Sequence, residues 1–350
     1  MARRLIVAGL LFVAACSKSD APAEKKSSEK PADTTAEKPA DKQAEVAPVD
    51  KAAPAKVKPA TNSDDLGKLP IDSDMVLGVD VAGIQSSPLW KDVLAPRVMS
   101  GDAVAKLDEF KQKCGIDPLA VVKSASVGLK DTPTGKEGVI VVHGPDKAKL
   151  AACAEKMKTD KDAKVEITQD GDATILKPKT GGVAVAFQFI SDTDAVVAIG
   201  SKANAAGLKA IIGGTGLATS SAFVEMYNRL DTEKSLWVLM NGKNEMFKPL
   251  AMAGIKPTHV YGVLDASAGI NLELRMRLAS QDQATQSATM LKSQLGPAAG
   301  MLKMDKLDVS ADGQDLKFVM LVSKQNLSPM LSAMQGLAGS MGGGAMGGAQ

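Results

Sequence analysis

The sequence predicts an α+β fold made of two similar halves with mostly antiparallel sheets, held behind a disordered tether. Three observations carry that reading. Between about Leu66 and Gly336 the apolar residues switch repeatedly between a period of 2 and a period of 3.6, the marks of strands and helices. Short phrases recur in the same order: Gly115-Ile116-Asp117-Pro118 returns as Gly254-Ile255-Lys256-Pro257, and Ser201-Lys202-Ala203-Asn204 as Ser323-Lys324-Gln325-Asn326. Residues 17–65 are Ala, Pro, Lys, Glu, Asp, Ser and Thr almost throughout, with no aromatic residue, Leu or Ile. Such a segment cannot bury enough apolar surface to offset the entropy of ordering it.

The first half is read over residues 66–216. Met75 to Val79 forms a buried strand, and Gly101 to Cys114 a helix with Val104, Leu107, Phe110 and Cys114 on its inner face. Strands follow at 121–129 and 138–143. Asp146, after Pro145, caps a second helix with Leu150, Cys153, Ala154 and Met157 inward. Strands at 164–169, 172–177, 183–190 and 194–199 come next, the first two turned at Asp170-Gly171, and a helix over 203–212 closes the set. The second half, 217–336, repeats the programme. A strand over 235–240 leads to a helical stretch over 245–253, then strands at 258–264 and 269–278. Asp282 opens a helix with Ala284, Ala288, Leu291 and Leu295 on one face, and a strand pair turns at Asp312-Gly313. A last helix is expected to begin with Ser328 as cap and Pro329 in its first turn. The first half carries one extra hairpin.

A β-α-β-β-α-β unit resembles the ferredoxin-like split βαβ arrangement, with helices over one face of the sheet. The strands read as near-continuous apolar runs, such as Val139-Ile140-Val141-Val142, so the other face needs a cover too. The sister half, packed face to face, is the simplest one.

Residues 1–16 read MARRLIVAGLLFVAAC. Arg3 and Arg4 form a positive leader, and Leu5 to Val13 form an apolar stretch too short to span a bilayer. Val13-Ala14-Ala15-Cys16 resembles the lipobox of bacterial lipoproteins. The resemblance implies removal of residues 1–15, diacylglycerol on the Cys16 thiol, and acylation (palmitate) of the new N-terminus. Two or three chains anchor stably where one does not. In that family an Asp after the cysteine marks retention at the inner membrane, so Ser17 implies the outer membrane, with the protein facing the periplasm or the cell surface. Residues 16–65 then space the folded part from the lipid. Residues 337–350, rich in Gly and Met, read as a disordered tail.

Export to an oxidising compartment favours a disulfide between Cys114 and Cys153, both on apolar faces of helices expected to lie side by side. Hydrophobic residues make up 45% of the chain but aromatics only 3%, so a core of Ala, Val, Leu, Ile and Met is expected. A net charge of +2 gives no concentrated basic face for nucleic acid. The two histidines, His143 and His259, have no metal-ligand spacing around them, and no cofactor is expected. Lys179-Thr180-Gly181 resembles an element of penicillin-recognising enzymes, but the one Ser-x-x-Lys match, Ser27 to Lys30, lies in the tether, so 179–181 reads as a turn. Gly213-Gly214-Thr215-Gly216 follows a helix rather than a strand and reads as a helix end and linker.

The expectation is a non-enzymatic interaction or scaffolding lipoprotein with an envelope-protein or cell-wall partner. A carrier holding an apolar ligand between the two lobes is the first alternative, and a hydrolase with an unrecognised site the second. The address itself is testable. Cys16→Ala should abolish incorporation of labelled fatty acid, and undiminished labelling of that variant would place the lipid elsewhere.

Overall fold

The period-2 segments become strands, and the order in which they pair decides where everything else sits. The computed structural model describes residues 63–95, 102–132, 135–160, 164–301 and 303–330. The leader, Cys16, nearly all of the tether and the Gly/Met tail lie outside the described residues. In chain order the strands are β1 (Met75–Asp80), β2 (Ser124–Thr132), β3 (Gly135–His143), β4 (Val165–Asp170), β5 (Ala173–Pro178), β6 (Val185–Phe189) and β7 (Asp194–Ile199). The second half contributes β8 (Leu236–Asn241), β9 (His259–Asp265), β10 (Gly269–Arg277), β11 (Lys306–Asp312) and β12 (Asp315–Ser323). All twelve form one sheet in the order β11-β12-β10-β9-β8-β1-β2-β3-β7-β6-β5-β4, and each neighbouring pair is antiparallel.

That order corrects the ferredoxin-like expectation. A split βαβ unit places its first strand between two others of the same half. Here β1 pairs with β2 on one side and with β8, from the other half, on the second. Periodicity marks a strand but does not say which edge it will join. Face-to-face packing is corrected as well: the halves meet edge to edge, β1 against β8. Outward from that seam the order is the same in both directions, with first, second and third strands followed by the last and the last but one. The first half then adds β4–β5; sequence calls for one extra hairpin in this half without locating it.

The seam has a specific fit. Gly78 faces Trp237 across the β1–β8 ladder, and a Cβ on Gly78 would sit 2.2 Å from the Trp237 indole. The indole fills the space that any other residue would need. Its outer edge meets the Tyr227 ring in a T-shaped contact with centroids 5.0 Å apart.

One face of the sheet, the first face, is apolar in the first half. Val76, Val139, Val141, Val196 and Ala198 pack there under Leu208, Phe223 and Tyr227, from the helices Ala205–Ile212 and Ser221–Tyr227. On the second face, the long helix Gln281–Met301 covers the second half through Ala284 and Ala288, which meet Val260, Met276 and Leu316. Leu89, in the excursion between β1 and β2, is fully buried against Ala266, Val322, Leu327 and Met330 of the second half. The halves therefore share side-chain packing as well as a ladder.

Local signals were mostly realised. Asp146 accepts a hydrogen bond from the Lys149 amide at 2.9 Å and caps Lys147–Thr159. Gly171 and Gly313 both take φ 59° in the predicted hairpin turns. The paired Gly-Ile-x-Pro phrases behave alike: Gly115 and Gly254 both have positive φ, and Ile116 and Ile255 are both buried. The last phrase pair diverges. Asn204 caps Ala205–Ile212 by accepting from the Gly207 amide at 2.8 Å, after Gly200 has turned the chain. Ser323 has no such glycine before it, so β12 runs straight into a helix over 324–330, and Ser328 and Pro329 fall inside it. Ser280 rather than Asp282 stands at the head of the long helix, its hydroxyl accepting from the Gln283 amide at 3.2 Å.

If the seam is what closes the sheet, a fragment of residues 63–219 exposes the β1 edge together with the empty slot at Gly78. It should aggregate or pair with itself, and co-expression with residues 220–350 should restore a soluble species, as read by light scattering on a sizing column. A monomeric fragment that unfolds cooperatively would show the halves to be independent.

Candidate functional site

Among the described residues each half holds one buried carboxylate, Asp65 in the first and Asp315 in the second. In the first half, His143 ends β3 and faces Asp194, which begins β7. Its Nδ1 lies 2.7 Å from Asp194 Oδ1, and its Nε2 lies 3.0 Å from Asp65 Oδ2. Asp65 comes from the short helix Ser63–Gly67, and only 5% of it is exposed. Ser126, on β2, donates to the same Asp65 oxygen at 2.6 Å, and Ser191 donates to Asp194 Oδ2 at 2.6 Å. Two carboxylates thus meet on one imidazole, and each is held in turn by a serine.

The electrostatics follow from that geometry. The Asp65 hydrogen bond and charge, helped by Asp194, outweigh the cost of burial and push the His143 pKa up to about 9. The ring is an imidazolium at neutral pH, donating from both nitrogens. Burial would raise Asp194, but its bonds to Ser191 and His143 prevail and hold it below the ordinary carboxylate range. Tyr227 lies close enough for the Asp65 charge to add to burial in pushing its phenol up to about 12.

In the second half the corresponding strands carry a corresponding pair. Arg277 ends β10 and faces Asp315, which begins β12. The guanidinium grips the carboxylate through Nε, 3.0 Å from Oδ1, and a terminal nitrogen, 3.3 Å from Oδ2. The Tyr261 hydroxyl donates to the same carboxylate. Asp315 is 2% exposed. Burial alone would raise its pKa, but Arg277 and Tyr261 hold it low.

Around this pair the first face is charged rather than apolar. Arg275 bonds Glu273 at 2.8 Å and Asp312 at 2.6 Å, and Lys317 bonds Glu273 at 3.0 Å. This part of the sheet is a solvated face with its charges matched across strands. The contrast lies on the second face of the first half. There Ala125, Val127 and Ile140 are buried, while Leu77, Val79, Leu129, Val142, Val197 and Ile199 around them are only partly covered. No helix residue belongs to that cluster. The helices Asp102–Cys114 and Lys147–Thr159 pack on each other, and the second touches the sheet chiefly at β4. They are joined by the expected Cys114–Cys153 disulfide, with Cα atoms 4.9 Å apart.

Of the residues singled out from sequence, the structure thus brings Cys114 and Cys153 together. His259 begins β9 and is half-buried; burial and Arg277 lower its pKa. Lys179-Thr180-Gly181 is a turn, and Gly213 ends a helix, both as read. Sequence alone reads His143 as an ordinarily placed histidine and Asp65 as the last residue of the tether. The signal available for Asp65 was its neighbour Leu66, the first Leu or Ile after the leader, which is buried beside it.

No family model matches the chain, and a comparison with curated proteins finds no match. Among solved structures, crystal form I of TP0453 aligns with a TM-score of 0.48 at 13% identity, covering 78% of this chain and 98% of that one. Crystal form III of the same protein aligns with a TM-score of 0.47 at 11% identity, covering 77% and 97%. The likeness is one of general chain path and assigns neither ligand nor activity. No helix among the described residues is long and apolar enough to cross a membrane.

The His143 cluster makes a pH prediction. Its folded pKa, about 9, lies above the ordinary 6.5. The stability it contributes is therefore complete below the unfolded value and is lost as pH rises through the folded one. The upper bound is about 3 kcal/mol, less for the exposed part of the ring. His143→Gln should lower stability to denaturant near neutral pH by about 2 kcal/mol and flatten its fall on the alkaline side. An unchanged alkaline slope in the variant would remove His143 as its source.

Proposed function

We propose that the chain is a non-catalytic binding protein of the cell envelope, tethered to the outer membrane by lipid on Cys16. The partly covered apolar second face of the first half is its binding surface. The observation that carries this reading is the contrast between the two outer surfaces of one sheet. The bare face of the second half is charged and internally paired, whereas that of the first half has six aliphatic side chains partly open around a buried centre. Apolar area left open is the usual mark of an interaction site.

The polar clusters support the absence of catalysis. A nucleophile needs its base within hydrogen-bond reach. Ser126 donates to Asp65 instead, and both nitrogens of His143 are engaged by carboxylates. The pattern is that of a staple.

An apolar segment of an envelope protein is the first occupant. An acyl chain is the second, since the same aliphatic surface suits it. Both readings move the site from a cleft between lobes to the face of one half, because the sheet is continuous across the seam. The duplicated origin of the two halves also belongs to this reading. It is supported by the matched strand order and by the corresponding His143–Asp194 and Arg277–Asp315 pairs.

A photo-crosslinking residue at Val197 in intact cells tests the site, with one at Lys317 as control. Protein adducts specific to Val197 and reduced about tenfold by Val142→Glu, roughly the cost of one misplaced charge, are expected. A lipid mass on the Val197 peptide would select the carrier reading. Identical products from both positions would sink both.

A further inference from the structure

The sheet ends at β11 on one side and at β4 on the other. β4 belongs to the hairpin that the second half lacks, so the first half runs further outward. The β4–β5 register is unbroken from Val165–Pro178 to Asp170–Ala173 and contains no bulge. At its open end the Lys179 amide donates to the Lys164 carbonyl at 3.0 Å. Hydrogen-bonded and non-hydrogen-bonded pairs alternate along an antiparallel ladder. Lys164, Glu166, Thr168 and Asp170 therefore turn their backbone groups toward β5, whereas Val165, Ile167 and Gln169 turn theirs outward. Among the described residues no strand pairs with that outer edge.

Free edges are usually blunted by a proline, a bulge, charges along the strand or a covering element. β4 has neither proline nor bulge, and one charge, Glu166, in its middle. Its remaining charges stand at its two ends with opposite sign, Lys164 at one and Asp170 at the other. Both are exposed, and neither has an ion-pair partner among the described residues. The other end strand differs on both counts. The helix Gln281–Met301 packs along β11, whose central Val309 is 3% exposed. Its acidic end, Asp312, is already held by Arg275 at 2.6 Å.

We propose that β4 pairs with β4 of a second copy of this chain, antiparallel about a two-fold axis at Ile167, so that one sheet runs through a homodimer. That axis sets Val165 against Gln169 of the second copy and Ile167 against its own counterpart. Every residue with outward backbone groups thus meets another one. A slip of one residue would set outward groups against inward ones. The charges choose among the registers that remain. With the axis at Ile167, Lys164 meets Asp170 of the second copy, twice by symmetry, and Glu166 meets Thr168. With the axis at Glu166 that carboxylate would meet itself, and with the axis at Thr168 it would meet Asp170. Opposite charges facing across strands stabilise the pairing and like charges oppose it. Ile167 shares the second face with Leu176 and Val185 through the ladder, so the apolar row continues across the axis. An isologous contact of this kind closes on itself at two copies. The interface is small, so the dimer is weak in dilute solution. Pairing brings the open apolar faces of two copies onto one surface, but it does not depend on what occupies them.

The test uses residues 17–350, which keep every described residue and lack the leader and Cys16. Sedimentation velocity should show a monomer–dimer equilibrium that shifts with protein concentration. Lys164→Asp turns two attractive pairs into repulsive ones and should weaken the dimer about tenfold or more. Adding Asp170→Lys to that variant restores the complementarity and should restore the dimer. Both positions are exposed, and an unchanged melting temperature confirms folding. Cysteines read the register. Glu166→Cys and Thr168→Cys, mixed and mildly oxidised, should give a disulfide-linked dimer containing one of each, since the two positions face each other across the axis. Either variant alone should not crosslink, because its two cysteines stand two positions out of step, beyond the roughly 7 Å that a disulfide can span. A wild type that stays monomeric at every concentration would overturn the proposal. So would a dimer that ignores the charge swap, or one whose mixed and single cysteine variants crosslink equally.

Discussion

The pairing of β1 with β8 is the constraint on which the rest of the structure depends. Each half has few aromatic residues, and one of the two tryptophans in the chain is placed at this seam, over a glycine. The ladder turns what would be two exposed edges into the middle of one sheet. It also fixes the register of the neighbours. Val76, Trp237, Leu239 and Tyr261 then fall on the same face as Val139 and Val196 and join one core that crosses the boundary between the halves. Any side chain at Gly78 would displace the indole, and with it the contact to Tyr227 that seats the helix Ser221–Tyr227.

From that seam the two halves diverge in how they cover their faces. The first half buries the first face under helices that follow β7; the second buries the second face under the helix between β10 and β11. What each leaves uncovered differs in chemistry. Matched charges let the second half present a bare face to water at little cost, since ion pairs on a solvated sheet need only balance. Aliphatic residues in the first half have no such option. The topologically equivalent ion pairs, His143–Asp194 and Arg277–Asp315, show one structural role filled by two cations. Arginine cannot lose its charge in any ordinary condition, whereas histidine can, so only the first half carries a titratable joint.

What could be read from the sequence was local. Asp146 as a cap, the Asp-Gly turns and the Gly-Ile-x-Pro corners need only a few consecutive residues to specify them, and each was legible. The cysteine pair was legible because two helical faces and a compartment pointed the same way. Strand order was not, since a strand of alternating apolar residues accepts a partner on either edge. The His143 cluster was hidden for the same reason. Its members are separated by 78, 61 and 51 residues in hydrogen bonds that only the folded sheet brings together. Asp65 was lost in a compositional boundary: polar residues on both sides of it look alike until one of them is buried.

The staple at Asp65 has a mechanical meaning. Were residues 16–65 the membrane tether proposed above, a pull along that segment would arrive at Ser63. The first attachments it meets are the Asp65 carboxylate, held by Ser126 and His143, and the buried side chains of Leu66 and Leu69. Behind them lies β1, clasped by hydrogen bonds along both sides, so that drawing it out lengthwise must break both ladders together. In such a tethered chain the contacts of Asp65 would be the first to take the load, ahead of the two ladders of β1.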